Sequence, residues 1–246
     1  MIEVENLTKR YGRVQAVRGI SFTAQPGQVL GLLGPNGAGK STTLKAITGL
    51  IRPTSGQVRL GGFDIVRQGK QAKAMFGYIP DRPYLYPKLT GRELLRFLGR
   101  LRKVEGAERE AQRLLETFDL ADFGNELIET YSHGMRQKLT FSAALLHRPP
   151  LLVIDEPMVG LDPRAARQVR DLMKEYARAG NTVLLTTHSM DVAEEIADRV
   201  LLVHRGRIAA EGSLSELQRQ VGDESARLEA IFLQLTEEAR EAPVAA

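Results

Sequence analysis

VLGLLGPNGAGKST, residues 29–42, is a short apolar run that breaks into glycine and then into helix-forming residues. Val29 to Leu33 suits a strand covered on both faces, as in a mainly parallel sheet, and Gly34 ends it. Glycines at 34, 37 and 39 let backbone N–H groups close around phosphate oxygens with no Cβ in the way. Lys40 adds a point charge for the terminal phosphates, and the Ser41 hydroxyl suits Mg²⁺. Gly34, Pro35, Asn36, Gly37, Ala38, Gly39, Lys40, Ser41 and Thr42 together form the candidate phosphate loop. Its position between a strand and a helix is what gives the pattern its force.

Working outward, LLVID (151–155), TVLLTT (182–187) and RVLLVH (199–204) are three more apolar runs of the same kind. Helical patterns over Thr42 to Leu50, Arg164 to Ala179 and Met190 to Ala197 alternate with them, which predicts an α/β sheet with crossover helices. The first stretch reads as antiparallel strands, with Ile2, Val4, Val14, Val17, Ile20 and Phe22 in short alternating segments and a turn at Tyr11-Gly12. Residues 84–148 read as an inserted helical subdomain, with Leu94, Leu95, Phe97, Leu98 and Leu101 on one face and Leu114, Leu115 and Phe118 on a second helix. Arg205-Gly206 predicts a hairpin. The main domain is expected over 1–222 and a helical tail with a frayed end over 223–246; after the hairpin, helices are expected from about Ser213 and around Leu228 to Leu235, with fraying from Glu238.

The bulk numbers fit a soluble globular chain: 246 residues, 43% hydrophobic and 26% charged. Lys and Arg total 34 against 30 acidic residues, a formal +4, and they are interleaved with acids. That spread does not by itself argue for nucleic acid, no nucleic-acid partner is expected, and an anionic partner or membrane surface still fits. With no cysteine, disulfides and thiolate metal sites are excluded. The N-terminus lacks the layout of an export signal, and no run approaches the ~20 apolar residues of a membrane span, so a cytoplasmic location is expected.

LLVIDEP delivers Asp155 and Glu156 to the carboxyl end of a strand, where ligands gather in open α/β sheets. Next to a phosphate loop, Asp155 is the candidate for the metal and Glu156 for the attacking water. YSHGMRQKL (131–139) adds a second helix start, with Ser132 and Gly134 leaving backbone N–H groups suited to an anion.

In this order, these motifs resemble the ATP-binding cassette (ABC) family over nearly the whole chain. The resemblance implies a P-loop core of RecA-like type carrying an N-terminal antiparallel β subdomain and an inserted helical subdomain. It also implies ATP and Mg²⁺ as ligands, and hydrolysis by a dimer closed around two ATP. Ser132, His133 and Gly134 stand in the family's signature, which docks on the γ-phosphate held by the other subunit. Tyr11 stands where an aromatic stacks on adenine, Asp162 in GLDP where a loop communicates across the dimer, and His188 where a histidine meets the γ-phosphate and the water. Lys40, Glu156 and His188 are thus the expected catalytic set, and Ser41, Asp155 and Asp81 the expected metal set.

Three positions depart from the family pattern. Asp81 replaces a glutamine, keeping an acceptor oxygen but adding charge and losing amide donors. His133 replaces a glycine and puts a titratable ring beside a phosphate, and Met135 replaces a glutamine. The expected partners are a separate membrane permease, holding the chain at the inner face of the cell membrane, and a like or related ATPase subunit. Tyr84, Leu85, Tyr86 and Pro87 lie where the family receives a short helix of the permease. Export is the expected direction; the competing reading is a soluble ABC ATPase acting on nucleic acid or ribosomes.

Overall fold

A computed structural model describes residues 1–241, with side chains as far as residue 236. Strands β1 (Ile2–Tyr11) and β2 (Val14–Ala24) form an antiparallel hairpin, and β3 (Val29–Leu33) leads into α1 (Lys40–Ile47). β4 (Ser55–Leu60) and β5 (Phe63–Asp64) complete a four-stranded sheet of order β2-β1-β4-β5, and α2 (Gly69–Ala74) precedes β6 (Phe76–Ile79). The insertion follows as α3 (Gly91–Leu101), α4 (Ala107–Thr117), a 3₁₀ turn at Ile128–Thr130 and α5 (His133–Leu145). Then come β7 (Leu151–Asp155), α6 (Pro163–Arg178), β8 (Thr182–Thr187), α7 (Met190–Ile196), β9 (Arg199–His204), β10 (Arg207–Gly212), α8 (Leu214–Val221) and α9 (Leu228–Glu241). The second sheet runs β10-β9-β3-β8-β7-β6, parallel except for the β9–β10 hairpin.

The apolar runs behave as strands buried on both sides, and each side has a different partner. Leu151 and Val153 of β7 and Leu184 of β8 pack with Ile2, Leu7, Ile20 and Leu44 on the face carrying α1 and the antiparallel sheet. Their neighbours Leu152, Ile154, Val183 and Leu185 pack with Leu114, Leu115, Phe118 and Phe141 of the helical insertion. Phe118 and Phe141 are fully buried with ring centroids 6.0 Å apart. Truncating either to alanine would cost about 3–5 kcal/mol.

β4, β5, α2 and β6 have no counterpart among the elements expected from the sequence. FGYI at β6 is only four residues long and ends against Pro80, too short to display a period. The expected single apolar face of α3 is also corrected. Leu94 and Leu95 are buried and Leu98 partly so, but Phe97 is 46% and Leu101 68% exposed. At 3.6 residues per turn the five side chains span about 160°, more than one contact strip can cover. The buried side is centred instead on Gly91, Leu94, Leu95 and Gly99. At the other end of the chain α9 is seated rather than loose: Leu228 and Ile231 are buried beside Leu33, Leu202 and Leu217. The helix continues to Glu241, past the point where fraying is expected, and residues 242–246 lie outside the described residues.

Candidate functional site

The carboxyl ends of β3, β7 and β8 meet at one edge of the parallel sheet and surround a cavity of about 480 Å³. From the phosphate loop, Asn36, Gly37, Gly39, Lys40, Ser41 and Thr42 line it, joined by Tyr11, Ala16, Asp81, Asp155, Glu156 and His188. Helix α1 begins there without a side-chain cap, because Gly39 has none to give. Gly39 sits at φ 108°, and a Cβ there would come within 2.6 Å of the Ala16 carbonyl oxygen. Only glycine lets the loop cross the β1–β2 hairpin so closely while its N–H groups stay open. Lys40 is 6% exposed and its Nζ donates to the carbonyls of Gly34 (2.6 Å) and Pro35 (3.2 Å). Gly34, Pro35 and Ala38 therefore shape the loop from behind rather than line the cavity.

Opposite the loop stand the two carboxylates. Asp155 is 3% exposed at the end of β7 and accepts a hydrogen bond from the Thr186 hydroxyl. Burial raises its pKa above the ordinary aspartate value; the Thr186 bond opposes this, and the charges of Asp81 and Glu156 add to it. Burial likewise lowers the pKa of Lys40, while Glu156 and Asp155 pull it back up. Such a site, acidic and short of water, is suited to a cation held between carboxylate and phosphate oxygens.

Glu156 leaves the strand with φ +52°, a left-handed turn that swings its side chain toward β8. Its Oε1 lies 2.8 Å from His188 Nδ1, and its Oε2 accepts from the Thr187 hydroxyl at 3.1 Å. A Glu156 carboxylate oxygen accepts this hydrogen bond from Nδ1–H, which leaves His188 Nε2 turned to other work. A loop of bare N–H groups, a buried lysine, a carboxylate pair and a histidine around one cavity make a phosphoryl-transfer site.

A family model described as ABC transporter matches residues 17–159. The chain belongs to the ABC transporter family. It is 38% identical over 227 residues to the linearmycin resistance ATP-binding protein of Bacillus subtilis, covering 92% of this chain and 73% of that one. It is 42% identical over 220 residues to a fluoroquinolones export ATP-binding protein of Mycobacterium tuberculosis, covering 89% and 72%. Among solved structures, the ATP-binding subunit of an ABC transporter superposes with TM-score 0.91 at 35% identity, covering 96% of this chain and 99% of that one. A bacterial ABC transporter cassette solved as a dimer gives TM-score 0.79 at 26% identity, covering 87% and 98%. The cassette's activity is therefore ATP hydrolysis.

The remaining expected site residues of the cassette fall elsewhere. Ser132 caps α5, its Oγ accepting the Met135 N–H at 3.2 Å, and Ser132 and His133 are exposed on a surface that lines no part of the cavity. The His133 ring rests against Gly160, where any Cβ would overlap it, so the signature turn leans on the segment that leads to Asp162 in the same chain. Asp162 caps α6 by accepting the Ala165 N–H at 2.9 Å. The sequence alone does not single out Ala16, Thr186 or Thr187; two hydroxyls directly before His188, in TTH, were the available signal for the threonines.

A second cavity, about 500 Å³, adjoins the first. Tyr84, Leu85, Tyr86, Leu94 and Leu98 line it, with Lys45 and Arg102 also in its wall, and Asp81 belongs to both cavities. Tyr84 is 83% exposed. No helix among the described residues is long and apolar enough to cross a membrane.

Proposed function

We propose that the cassette works as a pair closed around two ATP and drives a separate membrane permease in the direction of export. The observation that carries this reading is the placement of the two anion-binding helix starts. One faces the nucleotide cavity, and the other, at Ser132 to Gly134, is exposed and away from it. A second subunit related by a two-fold axis would bring its own Ser132, His133 and Gly134 to the γ-phosphate seated on this chain's loop, with Asp162 at the seam. The dimeric relative and the relatives named for resistance and export support the same assembly and direction.

In this reading Tyr11, 49% exposed at the cavity mouth, stacks on adenine, and the loop from Gly34 to Thr42 wraps the phosphates. Lys40 leaves its two carbonyl partners for the terminal phosphate oxygens. Ser41 and Asp155, with Asp81, fit Mg²⁺, which would neutralise charge developing on the phosphates. Glu156 orients and deprotonates the water, and His188 uses Nε2 on the γ-phosphate. Tyr84, Tyr86 and the groove beside Asp81 receive a short apolar helix of the permease, which would hold the cassette at the inner face of the membrane.

Two measurements test it. Glu156→Gln should bind ATP, elute as a dimer on gel filtration and turn over about 10²–10⁴-fold more slowly. A monomer hydrolysing at the wild-type rate overturns the paired mechanism. The tagged cassette should co-purify from membranes with a polytopic protein, and Tyr84→Ala with Tyr86→Ala should release it.

A further inference from the structure

We infer that Thr187 is a positioning residue that sets the carboxylate of Glu156 to orient and deprotonate the attacking water. The inference rests on the proposed role of Glu156. Thr187 ends β8 and is 3% exposed, and it is absent from the wall of the nucleotide cavity, so it acts through another group. Its hydroxyl has one proton. The Ser189 N–H, 3.1 Å away, donates to Oγ1, so that lone pair is engaged and the proton goes to Glu156 Oε2 at 3.1 Å. Ser189 itself caps α7, its Oγ accepting from Val192 N at 3.4 Å. The direction of the Thr187 hydroxyl is thereby tied to the start of a helix rather than left to a free rotor.

Glu156 needs such a tether. Its backbone is in the left-handed region and its N–H is spent on the Thr186 carbonyl at 3.0 Å, which fixes where the side chain starts but not where it ends. Three side-chain torsions separate the backbone from the carboxylate. With Thr187 on Oε2 and His188 on Oε1, both oxygens have a donor and the plane of the carboxylate is determined. The neighbouring position repeats the device, Thr186 donating to Asp155. Two successive threonines on β8 thus hold two successive carboxylates, one at the end of β7 and one directly after it. A buried β-branched strand residue would serve packing equally well as valine, which differs from threonine here by the hydroxyl alone.

The test measures kcat, KM and equilibrium ATP affinity for Thr187→Val, Thr187→Ser and Glu156→Gln, and for Thr187→Val combined with Glu156→Gln. Misplacing the carboxylate should lower kcat of Thr187→Val about tenfold to a hundredfold. ATP affinity should stay within about twofold and Thr187→Ser within about threefold of wild type. In the Glu156→Gln background Thr187→Val should lower the residual rate no further. If Thr187→Val does not fold, Thr187→Ala is read in the same way. Wild-type kcat in Thr187→Val, an equal loss in Thr187→Ser, or an added loss in the Glu156→Gln background each overturns the inference. Wild-type turnover in Glu156→Gln alone would instead remove the role of Glu156.

Discussion

Two helices of this cassette, α1 and α5, begin in ways suited to an anion, and they are finished to different degrees. At α1 the cap is Gly39, which offers no side chain, and the first residue of the helix is the buried Lys40. Everything else a phosphate requires stands around it: two carboxylates, a histidine and the crossing β1–β2 hairpin. At α5 Ser132 satisfies one N–H of its own helix, and Ser132 and His133 are exposed outside the cavity that Asp155 and Glu156 line. On the proposed paired mechanism the first is a site and the second a fragment of one, so the difference separates binding, which one chain can perform, from turnover, which takes two.

That separation can be broken by experiment. Lys40→Ala removes charge-assisted bonds worth about 1.5–3 kcal/mol each, so ATP affinity of the single chain should fall about tenfold to a hundredfold. Ser132→Ala should leave that affinity unchanged, yet lower turnover about tenfold as a phosphate donor is lost from the closed pair. Isothermal titration beside a turnover assay reads both. Equal loss of single-chain affinity in the two variants would erase the distinction between the helix starts. Ser132→Ala should also cost about 1 kcal/mol of stability through the lost cap, read by urea unfolding.

Asp155→Asn sharpens the point from the other side of the cavity. A carboxyl whose folded pKa is raised contributes stability that is full below its unfolded value and is lost as pH rises through the folded value. Above that folded value the ionised Asp155 therefore burdens the empty cassette. Asp155→Asn should raise the thermal midpoint without nucleotide and, through the metal role proposed for Asp155, abolish ATP turnover, whereas no such exchange of stability for activity is expected at Ser132. The smallest effect belongs to the far end of α5. His147, whose Nε2 lies 3.2 Å from the Phe76 carbonyl, is lowered to about 4 by burial and then by Arg102. Its contribution is full above the unfolded value of 6.5 and is lost as pH falls toward about 4. Between those limits the wild-type midpoint should decline with acidification, and the decline should be shallower in His147→Gln.

The two helix starts were also unequally legible in the sequence. The loop at Gly34 to Thr42 declares itself because its glycines, lysine and hydroxyl are adjacent and follow an apolar strand. The partners Asp155, Glu156 and His188 could be placed because parallel strands bring their carboxyl ends to one edge. Ser132 to Gly134 read locally as an ordinary capped helix, and only the order of motifs gave the turn a phosphate. What escaped was what depends on contact at a distance. The division of α3 between a buried side at Leu94 and Leu95 and an exposed one at Phe97 and Leu101 follows from neighbours rather than period. The bonds of Thr186 and Thr187 to the carboxylates follow from β7–β8 register, which pairs Asp155 with Thr186. The packing of Gly160 beneath His133 is likewise a contact at a distance along the chain.

Asp81 stands in the partition between the nucleotide chamber and the apolar groove, a member of both walls. A side chain so placed makes the two occupancies conjugate: whatever free energy a guest in the groove gains from a filled chamber, the nucleotide gains equally from a seated guest. On the proposed reading of the groove as the permease's seat, one carboxylate, in the place of an amide, would set how strongly fuel and machine feel each other in both directions.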